Sequence, residues 1–164
     1  LSILGRKMNN LIIRSDRVAR HEFSFFFPFR IRYSEIDGQG VVFNAHYLTF
    51  FDTAITEYFR ELQFDYQGQL EKTGDDFHTV RTVVDYKAPV LFDEEIEVCV
   101  RAARIGRSSL TLAIEIYGKG SDSLRNSGEV VWVNTDQTTG KSVPLPKELI
   151  DLLRLREGDR LMEA

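Results

Sequence analysis

The segment that decides the fold spans residues 32–47 and reads RYSEIDGQGVVFNAHY. It places a carboxylate, Asp37, two glycines, Gly38 and Gly40, and a candidate helix cap, Asn44, close together in the chain. A helix that begins here presents unpaired backbone N–H groups and the positive end of its dipole. Such groups can hold a carbonyl oxygen that becomes an oxyanion, and Gly40 lets the backbone approach a ligand closely. The segment is therefore a candidate active-site loop.

The residues after this loop have the period of an amphipathic helix. Apolar side chains recur at steps of three and four residues, while threonines and charged residues occupy the opposite side. The stripe consists of Tyr47, Phe51, Ala54, Tyr58 and Leu62, widened by Leu48, Ile55 and Phe59. This pattern predicts a helix of about four turns with a broad apolar face, which other elements must wrap.

The remaining segments alternate with a period of two, which is typical of strands with one buried face. One strand precedes the loop, between Phe23 and Tyr33, and its Pro28 indicates an edge or a bulge. Four strands follow, within residues 80–88, 96–102, 110–117 and 128–135, and a short helix is predicted at 147–155. The sheet must curl around the long helix, or a second subunit must cover its other face. Open strand edges also invite pairing across a two-fold axis, so we expect a dimer.

Length and composition narrow the classes of protein. A chain of 164 residues fits one domain, expected at 21–157 between a flexible N-terminal tail, 1–20, and a C-terminal tail, 158–164. The net charge of −4 argues against a nucleic-acid partner, and no apolar run approaches the roughly 20 residues of a membrane span. Cys99 is the single cysteine, which excludes an intramolecular disulfide and suits a cytoplasmic location.

The sequence lacks the motifs of serine hydrolases, of phosphate-binding loops and of metal sites. There is no Gly-x-Ser-x-Gly elbow and no glycine-rich phosphate loop. The three histidines, His21, His46 and His78, have no metal-ligand spacing. A hydrolase built from this sequence would therefore work with a carboxylate and backbone dipoles, which suits an activated ester such as a thioester.

The loop resembles that of the 4-hydroxybenzoyl-CoA thioesterase family of hot-dog proteins. The family pattern is Asp-x-x-Gly-[Val/Ile]-Val-[Tyr/Phe/Trp], followed by a helix with a Tyr at its start. The matching residues here are Asp37, Gly40, Val41, Val42, Phe43 and Tyr47. The order of elements is similar from about Phe23 to Asn134. The resemblance implies an α+β hot-dog fold with a five-stranded antiparallel sheet curled around one long helix. It also implies an acyl-CoA thioesterase that needs no bound cofactor and forms a homodimer or homotetramer.

The resemblance also implies roles for individual residues. Asp37 would be the nucleophile or general base, and the backbone N–H of Asn44 would polarise the thioester carbonyl. Some relatives, similar to the Tol-Pal-associated thioesterases, carry His at the position of Asn44, so a role of that His does not transfer. The expected substrate-binding residues are Gly40, Val41, Phe43, His46 and Tyr47, with Arg104 and Arg107 as candidate contacts to the CoA phosphates.

Each of these residues also has a plain structural interpretation. Asp37 opens an Asp-Gly turn dipeptide, Asn44 can be a simple helix cap, and His46 can be a surface residue. Glu35 is expected to be solvated. Asp52, on the predicted helix, is the rival catalytic carboxylate, because another hot-dog subgroup uses a helix carboxylate. The alternative function is a non-catalytic acyl-CoA-binding module on the same fold.

Overall fold

A computed structural model describes residues 20–164 of the chain. The order predicted from the sequence, one strand, one long helix and four further strands, is confirmed, with a second short helix and a sixth strand in addition. In chain order the elements are β1 (Phe26–Arg30), α1 (His46–Glu61), α2 (Tyr66–Thr73), β2 (Asp75–Tyr86), β3 (Glu95–Ile105), β4 (Ser109–Gly118), β5 (Leu124–Asp136), α3 (Lys147–Glu157) and β6 (Met162–Glu163). The expected N-terminal tail lies outside the described residues, except for Arg20.

The strands form one sheet in the order β1-β3-β4-β5-β2, with antiparallel neighbours throughout. The short β6 pairs in parallel with the end of β3. Pro28 lies on the edge strand β1, as predicted from the lack of a backbone N–H in proline. A register shift between Thr79 and Arg81 interrupts the pairing of β2 with β5, and a second, between Ala102 and Arg104, interrupts that of β3 with β4. Such bulges bend a sheet and increase its twist.

Helix α1 lies in the concave face of this sheet. Both edge strands reach it, because Phe29 of β1 packs on Phe50 and Phe77 of β2 lies beside Phe59. The sheet therefore curls around the helix, which is the hot-dog arrangement. The buried side chains of α1 are Tyr47, Phe50, Phe51, Ala54, Ile55, Tyr58 and Phe59.

Gly128 of β5 sets the distance between the helix and the sheet. A Cβ atom at this position would lie 2.4 Å from the ring of Phe51 and 2.6 Å from the carbonyl oxygen of Val83. Both distances are shorter than any van der Waals contact between carbon and its neighbours. The missing side chain at Gly128 therefore lets α1 sit directly on the strand.

The C-terminal elements close the edge of β3 that β1 leaves open. The hydroxyl of Tyr58 donates to Oε1 of Glu157 at 2.5 Å, and the backbone N–H of Ala102 points at both groups, 3.4 Å from the Tyr58 oxygen and 3.3 Å from Oε1. Ala102 lies between the part of β3 that pairs with β1 and the part that pairs with β6. We call Tyr58, Ala102 and Glu157 the clasp. Residues 158–164, expected as a tail, carry a 3-10 turn and β6, and Leu161 is buried.

Candidate active site

The loop before α1 is a tight hairpin fixed to a neighbouring segment. The N–H of Asp37 donates to the carbonyl of Val41 at 2.9 Å, and the N–H of Gly40 donates to the carbonyl of Asp37 at 3.0 Å. Gly40 has φ +76°, a conformation that other residues rarely adopt. The N–H of Val42 donates to the carbonyl of Val90 at 2.9 Å. The loop is thus held by its own turn and by the middle of the β2–β3 connection.

Glu35 anchors the base of the hairpin. Its carboxylate accepts the backbone N–H of Arg32 at 2.8 Å and the guanidinium of Arg32 at 2.7 Å, while its carbonyl accepts the N–H of Phe43 at 2.9 Å. The residue is 5% exposed, so the expectation that Glu35 is solvated is wrong. The reason is local. Glu35 is the third residue of the 3-10 turn Tyr33–Glu35, and its carboxylate satisfies the N–H of Arg32, the residue that caps this turn.

The carboxylate of Asp37 lies half-buried at the mouth of a cavity. Its Oδ1 accepts the N–H of Gln39 at 2.7 Å, as in an Asx turn. This bond orients the group, and Oδ2 accepts no hydrogen bond from residues 20–164. One oxygen of Asp37 is therefore oriented while the other stays available to a ligand.

The turn from Phe43 to Ala45 leads into α1 and leaves two donors unused. The N–H of His46 donates to the carbonyl of Phe43 at 3.0 Å, and the hydroxyl of Tyr86 donates to the carbonyl of Asn44 at 3.0 Å. The N–H groups of Asn44 and Ala45 have no acceptor within the described part of the chain. Both lie at the positive end of the α1 dipole, where a developing negative charge is stabilised.

The structure corrects the assignment of Asn44 as a side-chain cap. Ala45 occupies the N-cap position of α1, and no side chain caps the helix. Asn44 is exposed, and it lines the cavity.

The cavity has a volume of about 700 Å³ and lies between the hairpin, the start of α1 and the end of β2. Five of the predicted site residues line it, namely Asp37, Val41, Phe43, Asn44 and Tyr47. Gly40 supports the turn behind it. His46 begins α1 and packs edge-on against Phe43, with 5.9 Å between the ring centroids. The structure thus brings Asp37 and Asn44 to one cavity.

Three predicted or rival residues lie away from this cavity. Arg104 and Arg107 belong to the hairpin between β3 and β4, whereas the cavity lies near the connection that leads into the start of β3. The cavity and the two arginines lie at opposite ends of β3, and a strand of this length spans about 35 Å. The arginines of one chain therefore do not reach the cavity of the same chain. Their role stays a prediction. Asp52 is exposed on α1 and does not line the cavity.

The sequence interpretation missed the contribution of the end of β2. Tyr86, Lys87 and Pro89 line the cavity opposite the hairpin. The ring of Tyr86 stands edge-on to that of Tyr47, at 5.2 Å and 85°. Burial raises the pKa of Tyr47 above its ordinary value, so this phenol is neutral at physiological pH. The signal for Tyr86 was the alternation of β2, which places it on the helix-facing side with Val84.

The sheet curled around α1 is a hot-dog domain, and Asp37 and the residues before α1 line its cavity. The family model of the thioesterase superfamily (4HBT) matches residues 39–124, more than half of the chain. The chain belongs to this family and is a thioester hydrolase.

Individual relatives agree with this family. The acyl-CoA thioester hydrolase YbgC of Escherichia coli is 30% identical over 127 residues, which cover 77% of this chain and 92% of YbgC. The PA5185 protein of Pseudomonas aeruginosa superposes with a TM-score of 0.74 and 31% identity, covering 85% of this chain and 96% of that one. A Thermus thermophilus thioesterase, complexed with coenzyme A and Zn, gives a TM-score of 0.70 at 29% identity, covering 84% and 96%.

Two further findings concern ligands and membranes. Within residues 20–164, no group of three or more His, Cys, Asp or Glu side chains is placed to hold a metal ion. None of the helices described there is long and apolar enough to cross a bilayer.

Proposed function

We propose that this protein hydrolyses acyl-CoA thioesters to CoA and a carboxylic acid, with Asp37 as nucleophile or general base and the N–H of Asn44 as the group that polarises the carbonyl. The observation that supports the proposal is the shared cavity, because Asp37 and Asn44 both line it and the N–H of Asn44 has no acceptor within residues 20–164. The names of the YbgC relative and of the CoA-bound thioesterase support acyl-CoA as the substrate.

The chemistry follows from these groups. The thioester oxygen accepts the N–H of Asn44, which stabilises the charge that develops during attack; one such donor contributes about 3–4 kcal/mol in other enzymes. As general base, Asp37 takes a proton from the water that attacks the acyl carbon. As nucleophile, it attacks directly, and water then hydrolyses the acyl-aspartyl anhydride. In both routes the C–S bond breaks, CoA leaves as the thiolate, and no cofactor is needed.

Asp37→Asn tests the proposal in a thiol-release assay with a panel of acyl-CoA substrates. The amide keeps the size of the side chain and its acceptor for Gln39, but it can neither attack nor take a proton. We expect kcat to fall by about 10²–10⁴, the scale of a positioned acid–base group, with unfolding temperature unchanged. Asp52→Asn, an exposed carboxylate on α1, is the matched control and should retain full turnover.

Two results would contradict this assignment. Loss of turnover in Asp52→Asn with normal turnover in Asp37→Asn would move the chemistry to the helix. No thiol release from any acyl-CoA by the wild type, combined with measurable binding, would establish the non-catalytic acyl-CoA-binding module instead.

We also propose that two copies form a homodimer, which can pair further into a tetramer, and that the protein works in the cytoplasm. The middle of the edge strand β2 is exposed on both faces, including Val80 at 60%. Phe43, Leu48 and Tyr86 around the cavity are each about half exposed. A second copy that covers this edge would bury these side chains and enclose the cavity. The free, buried Cys99 supports the cytoplasmic location.

A further inference from the structure

Tyr86 connects the end of β2 to the start of α1 through two contacts. Its hydroxyl donates to the carbonyl oxygen of Asn44 at 3.0 Å, and its ring packs edge-on against Tyr47 in the first turn of the helix. Tyr47 is 3% exposed, so its ring is a fixed surface for Tyr86. Tyr86 therefore contacts both the turn that carries the free N–H groups and the first turn of α1.

The hydrogen bond from Tyr86 to the carbonyl of Asn44 orients the whole peptide group. A peptide group is planar, so a bond to its carbonyl oxygen also sets the direction of the N–H on the other side of the same plane. The carbonyl of Phe43 shares its peptide group with the N–H of Asn44, and the N–H of His46 holds it. The carbonyl of Asn44 shares its peptide group with the N–H of Ala45, and the hydroxyl of Tyr86 holds it.

A donor on a carbonyl also polarises the peptide group and makes its N–H a stronger donor. Of the two free N–H groups, that of Asn44 is aligned by the backbone, whereas that of Ala45 is aligned by a side chain. We propose that Tyr86 is a positioning residue of the oxyanion site, which holds the Asn44–Ala45 peptide group so that the N–H of Ala45 faces a thioester oxygen beside the N–H of Asn44. The inference rests on the proposed function, because it assigns a task within the same site.

The strand end that carries Tyr86 is fixed independently of α1. The N–H groups of Lys87 and Ala88 both donate to the carbonyl of Arg125 at 3.0 Å. The guanidinium of Arg125 donates to the carbonyl of Pro89 at 2.8 Å and pairs with Glu94 at 2.6 Å. Tyr86 can therefore hold the turn in place, since its own backbone is held by β5.

Tyr86→Phe removes the hydroxyl and keeps the ring that packs on Tyr47. We expect kcat to fall about 5- to 20-fold with KM within twofold, the pattern of an interaction that matters in the transition state. Tyr33→Phe is the matched control: its ring also stands edge-on to a neighbour, Phe92, but it is 81% exposed and its hydroxyl makes no hydrogen bond with residues 20–164. That variant should behave as the wild type.

Two non-hydrolysable CoA derivatives separate positioning from a general structural effect. One replaces the thioester sulfur by CH₂ and keeps the carbonyl; the other is an S-alkyl thioether without a carbonyl. Tyr86→Phe should leave the affinity for both derivatives within about twofold, because the lost interaction strengthens only in the transition state. The infrared carbonyl band of the bound ketone should move back toward its frequency in water, and the unfolding temperature should stay within about 2 °C of wild type.

Unchanged kcat, or equal loss of affinity for both derivatives, would overturn the role of Tyr86. The same holds if the ketone band in the variant matches that in the wild type, or if the wild type binds neither derivative. Failure of the proposed function is distinct, because it appears as a wild type that releases no thiol. The binding and infrared comparisons do not depend on turnover.

Discussion

Tyr58→Phe is expected to lower the free energy of unfolding by about 3 kcal/mol without changing the active site. The substitution removes one oxygen from the clasp and keeps the buried ring. Tyr58 is 0% exposed and Glu157 is 2% exposed, so water cannot replace the lost hydroxyl without opening the edge of β3.

The loss of unfolding free energy depends on which hydrogen bonds the Glu157 carboxylate retains in Tyr58→Phe. Its Oε1 loses a 2.5 Å hydrogen bond, of a charge-assisted kind that contributes about 1.5–3 kcal/mol. It retains the N–H of Ala102 at 3.3 Å, and Oε2 has only Arg160 Nη2 at 3.8 Å. Removing one partner of a buried charge costs about 3–5 kcal/mol, and the partial contact with Arg160 places this case at the lower end.

Urea denaturation gives the free energy of unfolding, and thermal unfolding should show a midpoint about 6–12 °C lower in Tyr58→Phe. Glu157→Gln is the comparison variant, because the amide still accepts the Tyr58 hydroxyl and removes the buried charge. It should cost about 1 kcal/mol or less. A free energy of unfolding for Tyr58→Phe within about 0.5 kcal/mol of the wild type, or a larger loss in Glu157→Gln, would contradict this role of the Tyr58 hydroxyl.

Sedimentation equilibrium at micromolar concentration should show a dimer or a larger species, because the exposed edge of β2 needs a partner; a stable, active monomer would contradict the assembly. Cys99 should not react with a thiol reagent at pH 8 while the protein is folded, since burial raises the pKa of its thiol to about 12 and encloses the sulfur. Denaturant should expose one thiol per chain, and rapid labelling of the native protein would show that β3 opens readily.

The regular elements could be predicted where the pattern of burial is strong. Helix α1 was expected from Tyr47 to Leu62 and is found one residue earlier, because its apolar stripe is nearly continuous. Helix α2 was missed, since none of its residues is buried and Gly68 weakens its helix propensity. The Asp65 side chain, which accepts the N–H of Gly68, and Gly74 at the C-cap were the signals available.

Strand β2 was expected to begin at residue 80 and begins at Asp75. The bulge between Thr79 and Arg81 breaks the alternation on which the prediction depended. Strand β6 has two residues, too few for any periodic pattern.

The hairpin was predictable because its residues are neighbours in the chain. The Asp37–Gly40 turn and the start of α1 are local features, and a family motif covers them. Tyr86 was not predictable in the same way, since its partner Asn44 lies 42 residues earlier. The expectation for Glu35 failed because a charged residue is usually solvated. Here the carboxylate accepts the N–H of Arg32 and the carbonyl accepts the N–H of Phe43, which hold the residue inside the loop.

Helix α1 carries the cavity at one end and the clasp at the other. Tyr47 and Tyr58 are separated by about 16 Å along the helix axis, so few side chains contact both regions. This separation makes the protein a suitable scaffold for engineering. A library that varies Gly38, Gln39 and Phe43 changes the lining of the cavity, while the contacts of the clasp stay untouched.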